Sequence, residues 1–162
     1  MDPQTAIATI ADALRDVPQV RALWLGGSRG AGLEDRWSDI DFVLVTPEGA
    51  TDAVSALWRE AVARAGDIVL WWDRQVSPVL INAVTEDWLR IDVLLLKPEQ
   101  LAHHARDRTA VLFDHDGLRD ALPETAARPP DRPEELRRQI EDFIRILGLM
   151  SVAAGREDYV NG

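Results

Sequence analysis

The chain has 162 residues, of which 28 are acidic and 18 basic, so its formal net charge is −10 with histidine neutral. A hydrophobic fraction of 46% supports a normal core and argues against intrinsic disorder, while the acidic balance disfavours a large nucleic-acid interface. The lack of cysteine excludes disulfides, thiolate zinc sites and cysteine nucleophiles. We therefore expect one folded domain, or one domain with an appendage.

Helical and strand-like patterns alternate along the first 127 residues. Apolar spacing, capping residues and breakers predict the elements in chain order. The first part holds a helix from Asp2–Pro3 that stops before Pro18, a strand at 20–25, a glycine turn at 26–28 and a strand at 40–45. A helix from 51 or 52 to about 65 and a strand at 68–72 follow. The last part holds a hairpin of strands at 79–84 and 88–96, a short helix at 98–104 and a short apolar segment at 110–113.

A proline-rich segment divides the chain. Residues 128–133 hold three prolines, which cannot lie inside a helix, so they predict a linker between a domain at 1–127 and a C-terminal helix at 134–162. That helix carries an apolar stripe that must be buried: Leu136, Ile140, Phe143, Ile144, Leu147 and Met150. It either begins a further helical region or forms a homodimer contact, and the pattern leaves both open.

The start of the chain lacks the features of a secretory signal. Residues 1–4 have neither a basic start nor an apolar core, and no apolar run approaches the roughly 20 residues of a membrane span. We expect a cytoplasmic location and no membrane partner.

Two acidic residues mark the start of the strand at 40–45. Asp39 and Asp41 lie two positions apart, so on a strand their side chains point to the same face. Two such anions repel each other unless a divalent cation lies between them, and carboxylate oxygens suit Mg²⁺. Asp92 lies in an apolar strand, where a carboxylate is costly unless it is paired or bound to metal.

The glycine turn before these acids suits an anion. Glycine lets backbone amides approach closely, and the Ser28 hydroxyl adds a hydrogen bond, so Gly27 and Ser28 predict a triphosphate cradle. Arg29 and Arg36 flank this turn and could neutralise phosphate charge. Of the neighbours Trp71 and Trp72, we expect one in the core. The other either packs against a helix or stacks on a base or lines an acceptor pocket, and both interpretations stay open.

The histidines and aspartates of residues 103–116 match no metal-ligand spacing, so we assign them loop and cap roles.

The combined pattern resembles a known family. Gly26-Gly27-Ser28, Asp39-x-Asp41 and a later Asp92 in a hydrophobic strand resemble the nucleotidyltransferase superfamily that contains DNA polymerase beta, over about residues 20–96. Within it, the chain is most similar to the aminoglycoside and lincosamide nucleotidyltransferase-like branch. The resemblance implies an α/β (α+β) fold, with a mixed β-sheet flanked by helices.

The resemblance also implies roles for residues. Gly27, Ser28 and Arg29 would bind the nucleotide, while Asp39, Asp41 and Asp92 would be catalytic and hold Mg²⁺, with two ions allowed. Asp92 serves as metal ligand or as general base, and both roles stay open. Ala31 occupies a position where many minimal members of the superfamily have a second arginine, so binding of the phosphates would depend on Arg29 or Arg36.

The implied activity is transfer of a nucleoside monophosphate, with AMP from ATP as the first expectation. The acceptor would be a hydroxyl of a small molecule, for example an antibiotic, and pyrophosphate would be released. The alternatives are an antitoxin or regulator that modifies or binds a partner protein, and a non-catalytic nucleotide-binding domain. The acid set favours catalysis over the last of these.

Overall fold

The computed structural model describes residues 1–74, 78–125 and 133–156. The chain divides into two compact units, residues 1–127 and 128–162. The first unit contains helices α1 (Pro3–Leu14), α2 (Gly27–Gly30, a single turn) and α3 (Thr51–Ala65), and strands β1 (Ala22–Leu25), β2 (Ile40–Val45), β3 (Ile68–Arg74), β4 (Val79–Thr85), β5 (Arg90–Leu96) and β6 (Ala110–Asp114). Short 3₁₀ segments lie at Pro98–His103, Arg106–Arg108 and Leu118–Ala121.

The strands form one mixed sheet in the order β3-β4-β5-β2-β1-β6. Among the described strands, β2 pairs with β5 in parallel and the other neighbours pair antiparallel. The predicted mixed sheet flanked by helices, in an α/β (α+β) fold, is therefore confirmed.

Helices α1 and α3 cover one face of this sheet. The Asp2 side chain caps α1 by accepting hydrogen bonds from the Gln4 and Thr5 amides, each at 3.1 Å. The helix ends at Leu14, with Arg15 as its C-cap, and is therefore shorter than the predicted helix that stops before Pro18. The core between helices and sheet includes Ile10, Leu14, Phe42, Val54, Trp58, Ile81, Ile91 and Val93.

Several further predicted elements differ from the structure in their bounds or type. The second hairpin strand begins at Arg90 instead of residue 88, because Trp88 adopts a left-handed φ of 60° in the turn. The helix expected at 98–104 is a 3₁₀ segment that ends at His103. The apolar segment at 110–113 is β6, which lies on the sheet edge beside β1.

The sheet face opposite α1 and α3 is only partly covered. A second cluster of buried side chains covers part of it: Ala22, Trp24, Val43, Val45, Leu96, Leu101 and Leu122. Since side chains alternate along a strand, Asp41 and Asp92 point to this face while their neighbours Phe42 and Val93 join the helical core.

The second unit is described from α4, Pro133–Gly155. Within the part of the chain that the structure describes, the side chains of the predicted apolar stripe on α4 are exposed. The linker predicted at 128–133 lies outside the described residues except for Pro133. None of the described helices combines the length and apolarity that crossing a bilayer requires.

Candidate active site

Three carboxylates converge on the open face of the sheet. Asp39 directly precedes β2, Asp41 lies in β2, and Asp92 is its register partner in the parallel strand β5. One oxygen from each carboxylate lies within 4.8 Å of the other two. Asp92 is only 6% exposed. The structure thus brings the three predicted acids together, and their role as metal ligands stays a prediction.

Asp41 carries the least compensated charge of the three. Burial, followed by the negative charges of Asp39 and Asp92, raises the pKa of the Asp41 carboxyl. In addition, Oδ1 of Asp92 is buried without a hydrogen-bond partner among the described residues. Leaving such an oxygen unsatisfied is costly. A hard divalent cation would relieve both problems, so this donor set of carboxylate oxygens fits magnesium.

Arg90 is a site residue that the sequence analysis missed. Its guanidinium donates hydrogen bonds to Oδ2 of Asp92, at 3.1 Å from Nε and 2.6 Å from Nη2. Its Nη1 atom lies 3.5 Å from Oδ2 of Asp39. The hydrogen bond with Asp92 is the main cause that raises the pKa of Arg90. The alternation of side chains along β5 could have predicted that Arg90 lies beside Asp92, because the two residues share a face of the strand.

The glycine turn lies directly against the acids. The Gly26 amide donates a hydrogen bond to the Asp41 carbonyl oxygen at 2.8 Å. Gly27 has a left-handed φ of 55°, and a Cβ atom there would overlap Oδ2 of Asp41 and lie 2.8 Å from its Cγ. Only glycine allows this approach. The Ser28 hydroxyl is buried without a partner among the described residues, which suits a phosphate oxygen.

Arg108 joins the site from a distant part of the chain, which the sequence analysis also missed. A Cβ atom on Gly30 would overlap the Arg108 carbonyl oxygen, so the 3₁₀ segment at Arg106–Arg108 packs tightly on α2. The exposed Arg108 guanidinium has no hydrogen-bond or ion-pair partner within the described ranges.

This packing forms a pocket of about 520 Å³ beside the acids. Its lining combines acids, glycines, apolar strand residues and the segment around Arg108: Gly26, Gly27, Asp41, Phe42, Val43, Leu80, Asp92, Leu94, His104, Ala105, Arg108 and Thr109.

The two arginines expected beside the phosphates make other contacts. Arg29 donates hydrogen bonds from Nε to the Asp39 carbonyl oxygen at 3.0 Å and from Nη2 to that of Ser38 at 3.4 Å. It therefore braces the loop that carries Asp39. The Arg36 guanidinium carbon lies 4.2 Å from the centre of the Trp37 ring. Phosphate contact by Arg29 stays a prediction.

The two adjacent tryptophans of β3 face opposite sides of the sheet. The Arg59 guanidinium of α3 lies 5.1 Å from the centre of the Trp71 ring, so Trp71 faces the helices. Trp72 is 55% exposed on the face of the acids. Between Trp72 and Asp92 lies Asn82 of β4, whose Oδ1 atom is buried without a partner in the described part of the chain. The sequence analysis did not single out Asn82.

The acidic and histidine residues near 115 have local roles. The Asp114 carboxylate accepts hydrogen bonds from the Leu118 and Arg119 amides at 3.0 and 2.9 Å. A ring nitrogen of His115 lies 2.9 Å from the Arg15 carbonyl oxygen. Within the residues that the structure describes, Asp39, Asp41 and Asp92 are the one acidic or histidine group arranged to hold a metal.

Solved structures similar to this chain include a poly(U) polymerase and an RNA terminal U-transferase. Cid1 poly(U) polymerase bound to MgGTP is 19% identical with a TM-score of 0.46, and the match covers 57% of this chain and 30% of that protein. A second Cid1 structure, described for its RNA terminal uridylyl transferase activity, is 18% identical with a TM-score of 0.47, covering 57% and 29%. A cytoplasmic RNA terminal U-transferase is 19% identical with a TM-score of 0.43, covering 57% and 27%.

The chain thus spans less than a third of the length of these proteins. At these identities and scores, the likeness says nothing about the substrate of this chain. No curated protein sequence matches it.

The family model described as "Nucleotidyltransferase domain" matches residues 7–104. This range holds the glycine turn and all three acids, and it is more than half of the 162 residues. The predicted superfamily is confirmed, whereas the predicted aminoglycoside and lincosamide branch is not tested. The chain belongs to the nucleotidyltransferase domain family.

Proposed function

We propose that this domain transfers a nucleoside monophosphate from a nucleoside triphosphate to a hydroxyl of a small molecule. The observation that carries the proposal is the contact between the Gly27 turn and the carboxylate of Asp41, beside Asp39 and Asp92. It places a backbone suited to phosphate against a donor set suited to a divalent cation.

Asp39, Asp41 and Asp92 would hold Mg²⁺. When bound there, the ion neutralises the triphosphate and stabilises the charge that develops during transfer. Oδ2 of Asp92 is held by Arg90 while Oδ1 has no partner among the described residues. This division of its two oxygens favours a ligand role for Asp92 over that of a general base.

The turn and Arg108 would bind the phosphates. The Ser28 hydroxyl and the amides of the glycine turn offer hydrogen-bond donors, and Arg108, which lines the same pocket, carries a positive charge. Arg108 suits this purpose better than Arg29, because Arg29 is bound to two carbonyl oxygens. Arg108 is thus added to the proposed phosphate-binding residues, while phosphate contact by Arg29 stays a prediction.

The transfer step would be an in-line displacement. The acceptor oxygen forms a bond to the α phosphorus, and the bond from that phosphorus to the oxygen that bridges to the β phosphorus breaks. The electron pair leaves with pyrophosphate, and the hydroxyl proton passes to solvent water.

A small acceptor is consistent with the charge of the chain. A net charge of −10 repels a polyanion and favours a neutral or cationic molecule. An antibiotic is one such acceptor, and ATP is the first donor to test.

The test is calorimetric titration of ATP, GTP, CTP and UTP, with and without Mg²⁺. The wild type is compared with a double variant, Asp39→Asn and Asp41→Asn. We expect Mg²⁺-dependent binding of at least one triphosphate to the wild type and none to the variant. A wild type that binds no triphosphate with Mg²⁺, or a variant that binds as well as the wild type, would refute the proposal.

A further inference from the structure

We infer that Asn82 and Trp72 bind the acceptor, with Trp72 stacked on a ring of that molecule and Asn82 accepting a hydrogen bond from an adjacent hydroxyl or amine. The inference rests on the proposed function and adds the place and the chemistry of acceptor recognition.

These residues continue a row that begins at the glycine turn. Gly26 pairs with Asp41 through its amide, Asp41 is opposite Asp92, Asp92 is opposite Asn82, and Asn82 is opposite Trp72. Register partners in a sheet point to the same face. Since neighbouring strands lie about 4.8 Å apart, Trp72 stands two strand spacings, about 10 Å, from Asp92.

The direction of the reaction assigns the two ends of this row. In an in-line displacement the attacking oxygen and the leaving oxygen lie on opposite sides of the phosphorus. The phosphate-binding end is the glycine turn of β1 with Arg108, and the acids on β2 and β5 lie in the middle. The acceptor must therefore approach from the side of β4 and β3, where Asn82 and Trp72 lie.

The side chains at that end are suited to bind a ligand. Oδ1 of Asn82 is buried without a partner among the described residues, so a hydrogen bond from the acceptor would satisfy an otherwise costly group. Trp72 is 55% exposed although it is large and apolar. The Arg74 guanidinium carbon lies 3.9 Å from the centre of its ring, which holds the indole in place as a flat surface.

The chemical class that fits is a ring that carries hydroxyl or amino groups. Its ring packs on the indole, one polar hydrogen reaches Asn82, and a hydroxyl on the side of Asp92 attacks the α phosphorus. The Asn82 oxygen discriminates against an acceptor that has no donor at that position, because the oxygen would then stay unsatisfied.

The test uses the full chain with Asn82→Leu, Trp72→Ala and Trp72→Phe, and with Trp88→Ala as the control. Trp88 is 87% exposed in the turn between β4 and β5 and does not belong to the row. For each protein, calorimetry gives the affinity for the Mg²⁺ complex of the preferred triphosphate. Release of pyrophosphate is then measured with water alone and with glucosamine, myo-inositol or adenosine as acceptor probes.

We expect Asn82→Leu and Trp72→Ala to raise the KM for a modified probe about tenfold, the effect of one lost hydrogen bond or stacking contact. Trp72→Phe should restore much of the loss. Nucleotide affinity should change much less than the KM for the probe, and Trp88→Ala should behave as the wild type in every measurement.

The results separate the two proposals. A wild type without Mg²⁺-dependent nucleotide binding would refute the proposed function and this inference with it. Intact nucleotide binding with an unchanged KM in Asn82→Leu and Trp72→Ala, or with no probe modified, would overturn the acceptor assignment alone.

Discussion

The Nη2 atom of Arg90 lies 2.6 Å from Oδ2 of Asp92, its neighbour two positions along the same strand. The same guanidinium also faces Asp39 at 3.5 Å. Arg90 thus compensates two of the three carboxylates in the absence of a metal ion. Asp41 makes no ion pair among the described residues, which leaves it the acid most in need of a cation.

Replacement of Arg90 should destabilise the metal-free protein. Arg90→Gln leaves the carboxylates of Asp39 and Asp92 without their counter-charge, so we expect a Tm lower by roughly 2–4 °C. Mg²⁺ should then raise the Tm more in the variant than in the wild type, since it supplies the missing charge. Thermal unfolding with and without MgCl₂ measures both effects.

Arg137→Gln is the control, because the ion pair of Arg137 with Glu141 is exposed and contributes little to the free energy of unfolding. An unchanged Tm in Arg90→Gln would contradict the expectation.

Asp41 should make the metal-free protein less stable as the pH rises. The pKa of its carboxyl is raised above the ordinary value of 3.8, so the folded chain binds more protons than the unfolded chain between that value and the raised one. Stability therefore falls as the pH rises through this window. Asp41→Asn should remove this dependence, raise the metal-free Tm at neutral pH and abolish Mg²⁺ binding. Unfolding curves from acidic to neutral pH test it, and a variant less stable than the wild type at neutral pH would refute it.

An added methyl group at Gly27 should disrupt the site. In Gly27→Ala the new Cβ overlaps the Asp41 carboxylate, so we expect loss of Mg²⁺-dependent nucleotide binding in titration calorimetry. Gly32→Ala is a matched control, because Gly32 has a similar φ of 66° but no atom within 4 Å of its added Cβ. Gly32→Ala introduces the same kind of backbone strain as Gly27→Ala, but it should retain Mg²⁺-dependent nucleotide binding. Equal binding by both variants would argue against the close approach.

Arg108 should contribute to binding of the outer phosphates. We expect Arg108→Gln to weaken ATP binding about tenfold, as for one charge-assisted hydrogen bond, and to weaken AMP binding much less. Titration of ATP and AMP in the presence of Mg²⁺ measures the difference. Arg64→Gln, at an exposed position of α3, controls for the change in net charge. Equal losses for ATP and AMP would speak against contact with the outer phosphates.

The apolar stripe of α4 should mediate self-association if the predicted dimer contact is correct. Ile140 and Ile144 lie one turn apart on this stripe and are exposed among the described residues. Sedimentation should show a dimer for the wild type and a monomer for the double variant Ile140→Lys and Ile144→Lys. A wild-type chain that stays monomeric at high concentration would contradict the dimer and leave the further helical region as the partner of the stripe.

Local patterns were enough to locate the acids and the turn. The spacing of Asp39 and Asp41 determines that they share a face because strand side chains alternate. The glycines at 26 and 27 mark a turn, and at Gly27 no other residue allows the close approach to Asp41. Asp92 stood out because a carboxylate in an apolar strand needs a partner. These inferences depend on a few consecutive residues, so the sequence alone supports them, together with the order of most elements.

The tertiary structure decided which distant residues meet these acids. The parallel pairing of β2 with β5 places Asp92 beside Asp41. The pairing of β5 with β4 places Asn82 beside Asp92. Packing of α2 against the 3₁₀ segment brings in Arg108, while Arg29 turns to backbone carbonyls instead. Strand order and loop packing depend on contacts between residues far apart in the chain, and the periodicity of a single segment carries no information about them.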